Sequence, residues 1–315
     1  MRLAAASSPR DLSGLKFDGA RALPAQVLPA YCILGILAAF VTFTVILTDF
    51  QYAADELNGP IFGMLALAGS GLVLRGLGIT RIGSGIESIA LFTAISMAAP
   101  LSAVIMASSN MPLVDQWLAE LDRDLFFGFN RSEVANWVAS RDGLFWVTQQ
   151  VYHSLIIQPY VLLAILYAAG MTGRGCRLLF AWGLTLAIIL CIFPFFPATG
   201  MPPFFLEYQE TFFGARDGTL RIIGRQALTG IITFPSFHAA AAVLLGWGFL
   251  RVGKLGPPMV VLNLLMFFSA IVAGHYLIDL FAGGAIAVVA IWTADKVIGS
   301  IEGPVHFTQS RPISS

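Results

Sequence analysis

From residue 27 to residue 47 the chain runs through apolar residues without one charged side chain. A stretch of this kind limits the fold more than any other feature. In the hydrocarbon of a bilayer no water satisfies backbone N–H and C=O groups, so the segment must bond to itself as a helix. About 20 mostly apolar residues in helical form cover the thickness. Eight stretches qualify, at 27–48, 60–79, 86–108, 144–169, 178–196, 235–251, 257–274 and 276–295. Charged residues make up only 11% of the chain, where soluble domains carry about 25%. The expectation is an all-α integral membrane protein, a polytopic helix bundle of about eight spans. Residues 1–26 form an N-terminal tail, 27–108 the first membrane spans, 109–299 a second membrane domain and 300–315 a closing tail. The first stretch has no short leader-type core before it and reads as a true span.

Between the third and fourth spans, residues 109–143 are polar and contain "VDQWLAELDRDLFFGF", the pattern of a helix lying at the membrane surface. No fixed-period repeat is present. Net charge is zero, which argues against a nucleic-acid partner, since phosphate backbones demand a basic surface. The three cysteines, Cys32, Cys176 and Cys191, are scattered in apolar runs and suggest neither a disulfide framework nor a zinc site.

Eight spans return the chain to the side on which it started. On that side fall twelve of the eighteen Lys and Arg residues and only five of the eighteen acids. The bias in Lys and Arg makes it the cytoplasmic side. The sixth span starts at Pro235 on the opposite face and the eighth near His275 on that same face. His238 and His275 therefore fall at equivalent depths, about one turn inside the extracytoplasmic surface.

Two short motifs carry these histidines. In "GHYLIDLFAGG", His275 and Asp279 stand four residues apart, on one helix face. A carboxylate that accepts the Nδ1–H of a histidine fixes the tautomer and leaves Nε2 as base or nucleophile. A carboxylate inside a membrane costs some 2.5–3.5 kcal/mol on insertion scales, so Asp279 asks for a function and a partner. In "FPSFHAA", His238 lies three residues after Pro235, in the first turn of its helix, where free backbone N–H groups attract an anion. Ser236 adds a hydroxyl donor. Taken singly, each feature has a structural reading, an interhelical hydrogen bond above all. Together, on one side and at one depth, they point to a phosphate site. Arg221 and Arg225, in the loop before the second span histidine, are the expected phosphate clamp, with Arg216 and Arg123 in reserve. Their structural reading is a pair of cations at headgroup level. Gln149 and His153 share a face of the fourth span and line either a substrate pocket or a polar seam between helices. Asp122 and Asp124 have the look of a metal pair, but with no histidine beside them they read as a solvated face. No metal and no cofactor is expected.

"FPSFHAA" and "GHYLIDL" resemble the second and third signature motifs of the type 2 phosphatidic acid phosphatase superfamily. They are most similar to those of its inositol phosphorylceramide synthase branch, where P-S-x-H is followed by H-Y-x-x-D. "LDRDLFFGFN", "FPATG" and "DGTLRII" are softer echoes. The resemblance spans roughly residues 112–294 and implies a six-helix catalytic core. It implies that His275 attacks phosphorus to form a phosphohistidine, that Asp279 orients it, and that His238 protonates the leaving oxygen and then activates the acceptor. The superfamily's K-x6-R-P motif is missing, and Ser269 stands where the third motif has arginine. The function these features imply is transfer of a lipid phosphoester to an alcohol acceptor at the extracytoplasmic face; the alternative is its hydrolysis by water, as in a lipid phosphate phosphatase. Both take a membrane lipid with a phosphoester headgroup as substrate. A haem-bearing electron carrier is a further class, given three histidines in spans, but these lie in a single layer. A transporter would need paired broken spans in the two halves, which the sequence lacks.

Overall fold

A computed structural model describes residues 25–200 and 206–302. Most of both terminal tails, His306 included, lies outside the described residues. The chain forms α1 (Leu28–Leu47), a two-residue strand β1 (Gln51–Tyr52), α2 (Ala54–Gly76) and α3 (Thr80–Ala107). Two short helices follow, α4 (Asp115–Leu125) and α5 (Arg131–Ala139). Next come α6 (Asp142–His153), α7 (Gln158–Ala168) and α8 (Thr172–Ile192). The remainder is α9 (Leu206–Asp217), β2 (Ile222–Ile223), α10 (Phe237–Phe249), α11 (Gly256–Ser269) and α12 (Leu277–Glu302).

The protein is a membrane-spanning helix bundle. All eight apolar stretches are helical, but the expectation of eight spans is met only in part. Among the described residues, five helices are long and apolar enough to cross a bilayer, and a sixth span arises if α6 and α7 are counted as one segment bent by 47°. The bend has a local cause. Pro159, at the second position of α7, lacks an N–H to donate and cannot continue the preceding helix, so the chain passes through a 3-10 turn at Ser154–Ile156. α10 and α11 have 13 and 14 residues, and at about 1.5 Å per residue neither reaches across the hydrocarbon alone.

α3 and α8 form the centre. In each, 61% of the most apolar window is buried, against 11% in α2, which therefore faces lipid. α2 nevertheless crosses α3 closely. A Cβ on Gly71 would stand 2.7 Å from the Glu87 backbone nitrogen, and one on Gly83 2.7 Å from that of Arg75. Small residues let two backbones approach in this way. The approach seats Arg75 beside Glu87 at 3.4 Å, with both side chains buried. Tyr31 of α1 donates to the other carboxylate oxygen at 2.6 Å. The buried ion pair thus links the first three helices.

β1 and β2 pair in parallel, Gln51 opposite Ile222 and Tyr52 opposite Ile223. The Gln51 N–H donates to the Arg221 carbonyl at 2.8 Å and the Ala53 N–H to that of Ile223 at 3.0 Å. This small ladder ties the segment ahead of α10 to the N-terminal helices.

Candidate active site

A helix cap at Ser236 and two contacts made through it lock the two histidine motifs together. Ser236 is the N-cap of α10, and its Oγ accepts the Ala239 N–H at 3.3 Å. Helix α10 thus starts at Phe237, two residues later than Pro235 at its first position would place it. The Ser236 N–H donates to the Asp279 carbonyl in the first turn of α12, at 3.1 Å. One turn further along α12, Gly283 lies flat against the Ser236 peptide, where an added Cβ would meet the carbonyl carbon at 3.0 Å and its oxygen closer still. Ser236 is fully buried, with its oxygen engaged in the cap.

His275 sits in the turn just before α12 and is 6% exposed. Its Nδ1 lies 2.9 Å from the Thr233 carbonyl. A carbonyl only accepts, so Nδ1 carries the hydrogen and the Nε2 lone pair is left for chemistry. The nearer Asp279 oxygen is 3.6 Å from Nδ1 and accepts the Tyr276 N–H at 2.8 Å. Asp279 thus stands within ion-pair reach of His275, while the closer partner of Nδ1 is the Thr233 carbonyl. Because α12 begins only at Leu277, His275 lies outside its first turn, and the backbone carbonyl holds the ring while the carboxylate stands beside it. Asp279 is fully buried, and its Oδ1 has no hydrogen-bond partner among the described residues.

His238 and His275 come together, with ring centroids 6.3 Å apart and planes at 50°. Tyr152 of α6 lies on the other side of His238. The two rings stack at 3.9 Å and 11°, and the tyrosine hydroxyl is 3.1 Å from the His238 Nδ1. Gln149 lines a narrow cleft between α6 and α11, with Tyr152, Ser269, Val272 and Ala273. His153 is exposed and meets the edge of Tyr152, at 5.5 Å. On this helix the tyrosine, one residue before His153, faces the histidine pair.

Arg221 and Arg225 are placed elsewhere. The Arg221 guanidinium lies over Phe50, 5.1 Å from the ring centre. The Arg225 N–H donates to Glu56 Oε2 at 2.7 Å and its Nε to the Glu56 carbonyl at 3.3 Å. Arg225 thus docks onto the start of α2 and Arg221 onto Phe50 just ahead of β1, both as parts of the seam around β1 and β2. Arg216 donates to the Met111 carbonyl at 2.7 Å. The arginine beside His275 is Arg131, the first residue of α5. Its NH1 donates to the carbonyls of Gly200 and Gly274, and its guanidinium lies 4.7 Å from the centre of the Tyr276 ring.

Two carboxylates of α4 brace the site from the polar side. Asp122 is 2% exposed and accepts the N–H groups of Leu277 (2.7 Å) and Ile278 (2.8 Å), so it caps α12. Burial pushes its carboxyl above the usual range, while these two amides and Arg131 pull it back. Reading Asp122 as part of a solvated face is thus corrected; Asp124 is exposed. Asp115 accepts the N–H groups of Thr199 and Gly200 and the Tyr276 hydroxyl, the last at 3.1 Å. Tyr208 of α9 reaches Thr233, and burial lifts its hydroxyl to about 12, so it remains protonated. Among the described residues no group of three or more His, Cys, Asp and Glu is placed to hold a metal ion.

Sequence reasoning missed Tyr152, Arg131, Asp115 and the Thr233 carbonyl. Asp115 and Asp122, seven residues apart in an interfacial helix, share one face, and that spacing was the available signal. A backbone carbonyl leaves no trace in residue types.

A family model described as the PAP2 superfamily matches residues 116–293, from α4 into α12, and so holds both histidine motifs. No curated protein and no solved structure matches the chain.

Proposed function

Since the chain belongs to the PAP2 superfamily, we propose that it is a lipid phosphate phosphatase, a membrane-embedded enzyme that hydrolyses phosphoesters of phosphatidate or isoprenyl-phosphate type. The observation that carries this reading is the pairing of two imidazoles 6.3 Å apart, one of them with Nδ1 held by a carbonyl and Nε2 free. His275 Nε2 attacks phosphorus, and the bond from phosphorus to the lipid oxygen breaks. His238, entering as an imidazolium, gives its proton to that oxygen. Water then attacks the phosphohistidine, His238 takes the water's proton, the N–P bond breaks and phosphate leaves. Division of nucleophile and acid between two imidazoles suits chemistry near neutral pH. Asp279, 3.6 Å from the His275 Nδ1, offsets the charge that the ring gains. Arg131 is the cation nearest to this chemistry and is assigned to the phosphoryl oxygens, because Arg221 and Arg225 are held at the seam around β1 and β2.

The excess of Lys and Arg on the side of the termini supports an extracytoplasmic site with both termini cytoplasmic. Transfer to an alcohol uses the same two steps with an alcohol in place of water. The form of the two motifs, P-S-x-H followed by H-Y-x-x-D, is what favours that second reading.

The test is turnover of a lipid phosphate by purified protein with no alcohol acceptor present. Inorganic phosphate release that disappears in His275→Ala and Asp279→Asn, in protein that still inserts, is the expected result. Release that needs an added alcohol favours transfer. Wild-type turnover by His275→Ala would remove the phosphohistidine mechanism.

A further inference from the structure

A second polar cavity lies at the far end of the bundle from the histidines. α8 runs from Thr172 to Ile192, and at about 1.5 Å per residue its ends stand roughly 30 Å apart. The chain beyond Ile192 leads to Gly200, which packs on Gly274 next to His275. Ser109, just after α3, donates to the Pro194 carbonyl just after α8, so the two helices run the same way. Thr80 and Thr172, their first residues, therefore mark the membrane face opposite the histidines. There a cavity of about 230 Å³ is lined by Gln26, Thr80, Arg81, Ser84 and Thr172. One water claims ~30 Å³ in the liquid, so the space admits a group of several heavy atoms. None of these five side chains has a hydrogen-bond or ion-pair partner among the described residues. The inner wall is Tyr167 and Cys176, both buried, whose polar atoms already meet each other at 3.5 Å and Ser88 at 2.6 Å from the tyrosine. Among the described residues no acid lines the cavity.

Arg81 supplies the cation. Its guanidinium lies against the turn between α7 and α8, where a Cβ on Gly170 would stand 3.4 Å from Cζ, two residues before Thr172. The hydroxyls of Thr80, Ser84 and Thr172 can donate, and the first N–H groups of α3 and α8 lack partners within their helices. A guanidinium and several donors from two elements suit an anion with more acceptor oxygens than the two of a carboxylate. Ile79 and Ile82, on either side of Thr80 and Arg81, are exposed, so acyl chains can lie against the same turn. We propose that this cavity binds a phosphate group, with Arg81 on its oxygens, in the way basic pockets between membrane helices take lipid headgroups. A phospholipid headgroup and free inorganic phosphate share this chemistry, and the test separates them. The site lies across the bundle from the histidine pair and does not depend on the reaction proposed there.

Two probes test it on the full-length protein. The first is phosphatidylglycerol, with bound lipid counted by native mass spectrometry. The second is inorganic phosphate at millimolar concentration, read as a rise in Tm. Arg81→Gln removes the cation, and Ser84→Leu fills the cavity while leaving the cation in place. Each should weaken binding about 10-fold or more, the scale of losing a hydrogen bond to a charged group. Lys254→Gln removes an exposed charge from the turn after α10, outside the cavity, and should bind as wild type does. Lipid retention that falls in the two cavity variants marks a headgroup site. A phosphate-induced rise in Tm that falls in the same two variants, without lipid retention, marks a site for the free ion. Equal loss in Lys254→Gln shows diffuse surface charge, and unchanged binding in Arg81→Gln or Ser84→Leu puts the anion elsewhere. Either result, or binding of neither probe by wild type, overturns the proposal.

Discussion

Gly283→Ala adds one methyl group where the two histidine motifs touch. Its Cβ would stand 3.0 Å from the Ser236 carbonyl carbon and 3.4 Å from the Ala240 nitrogen, and nearer still to the carbonyl oxygen. Ordinary C···O contacts begin at about 3.3 Å, so α10 and α12 must part by on the order of 1 Å. The movement strains the bond from the Ser236 N–H to the Asp279 carbonyl and shifts His238 relative to His275. Overpacking of this kind costs about 1–3 kcal/mol. A misplacement of about 1 Å in a catalytic pair costs up to roughly 10²-fold in rate. We therefore expect Gly283→Ala to insert and fold with a modestly lowered Tm and to lose most of its turnover. The neighbouring Gly284→Ala is the control. Its Cβ meets only side chains, the Phe267 ring at 3.3 Å and Val243 at 3.7 Å, and a side chain can yield where a peptide cannot. Turnover of lipid phosphate and thermal unfolding, measured on both variants in one detergent, give the answer. Wild-type turnover in Gly283→Ala, or equal loss in the two, would refute the claim that this helix contact sets the spacing of the histidines.

Asp122→Asn should leave one of the two amides it caps without an acceptor, lowering stability by about 1–3 kcal/mol, with a lower Tm and slower turnover. Glu87→Ala strands the Arg75 charge in a buried site and should cost about 3–5 kcal/mol, seen as a large drop in Tm. Arg131→Lys keeps the charge but loses the planar guanidinium that can meet phosphate oxygens in pairs, so KM for lipid phosphate should rise; an unchanged KM removes Arg131 from phosphate binding. A cysteine at the exposed Asp217 should react with an impermeant thiol reagent on intact cells, and labelling only after lysis would reverse the sidedness.

The helices were readable because bilayer physics writes them as long charge-free runs. How many cross alone was not, since α10 and α11 are ended by local features. α10 starts two residues after Pro235, at its Ser236 cap, and both helices stop short of a full span. The pairing of His238 with His275 was legible from span direction alone. What holds each ring was not. Thr233 acts through its carbonyl, which any residue supplies, and Tyr152 sits beside His153 on a helix whose rotation the sequence left open. Arg221 and Arg225 have the composition of a clamp, but Glu56 and Phe50, more than a hundred residues earlier in the sequence, hold them at the seam around β1 and β2. Asp122 is charged and yet buried, because the first amides of α12 need an acceptor.

The central claim is that His275 becomes phosphorylated. Purified protein mixed with lipid phosphate labelled at phosphorus, then quenched in denaturant, should carry a label that acid removes and base does not. Peptide mapping should place it on His275, and His275→Ala should carry none. A label on another residue, or none in protein that is turning over, would contradict the account.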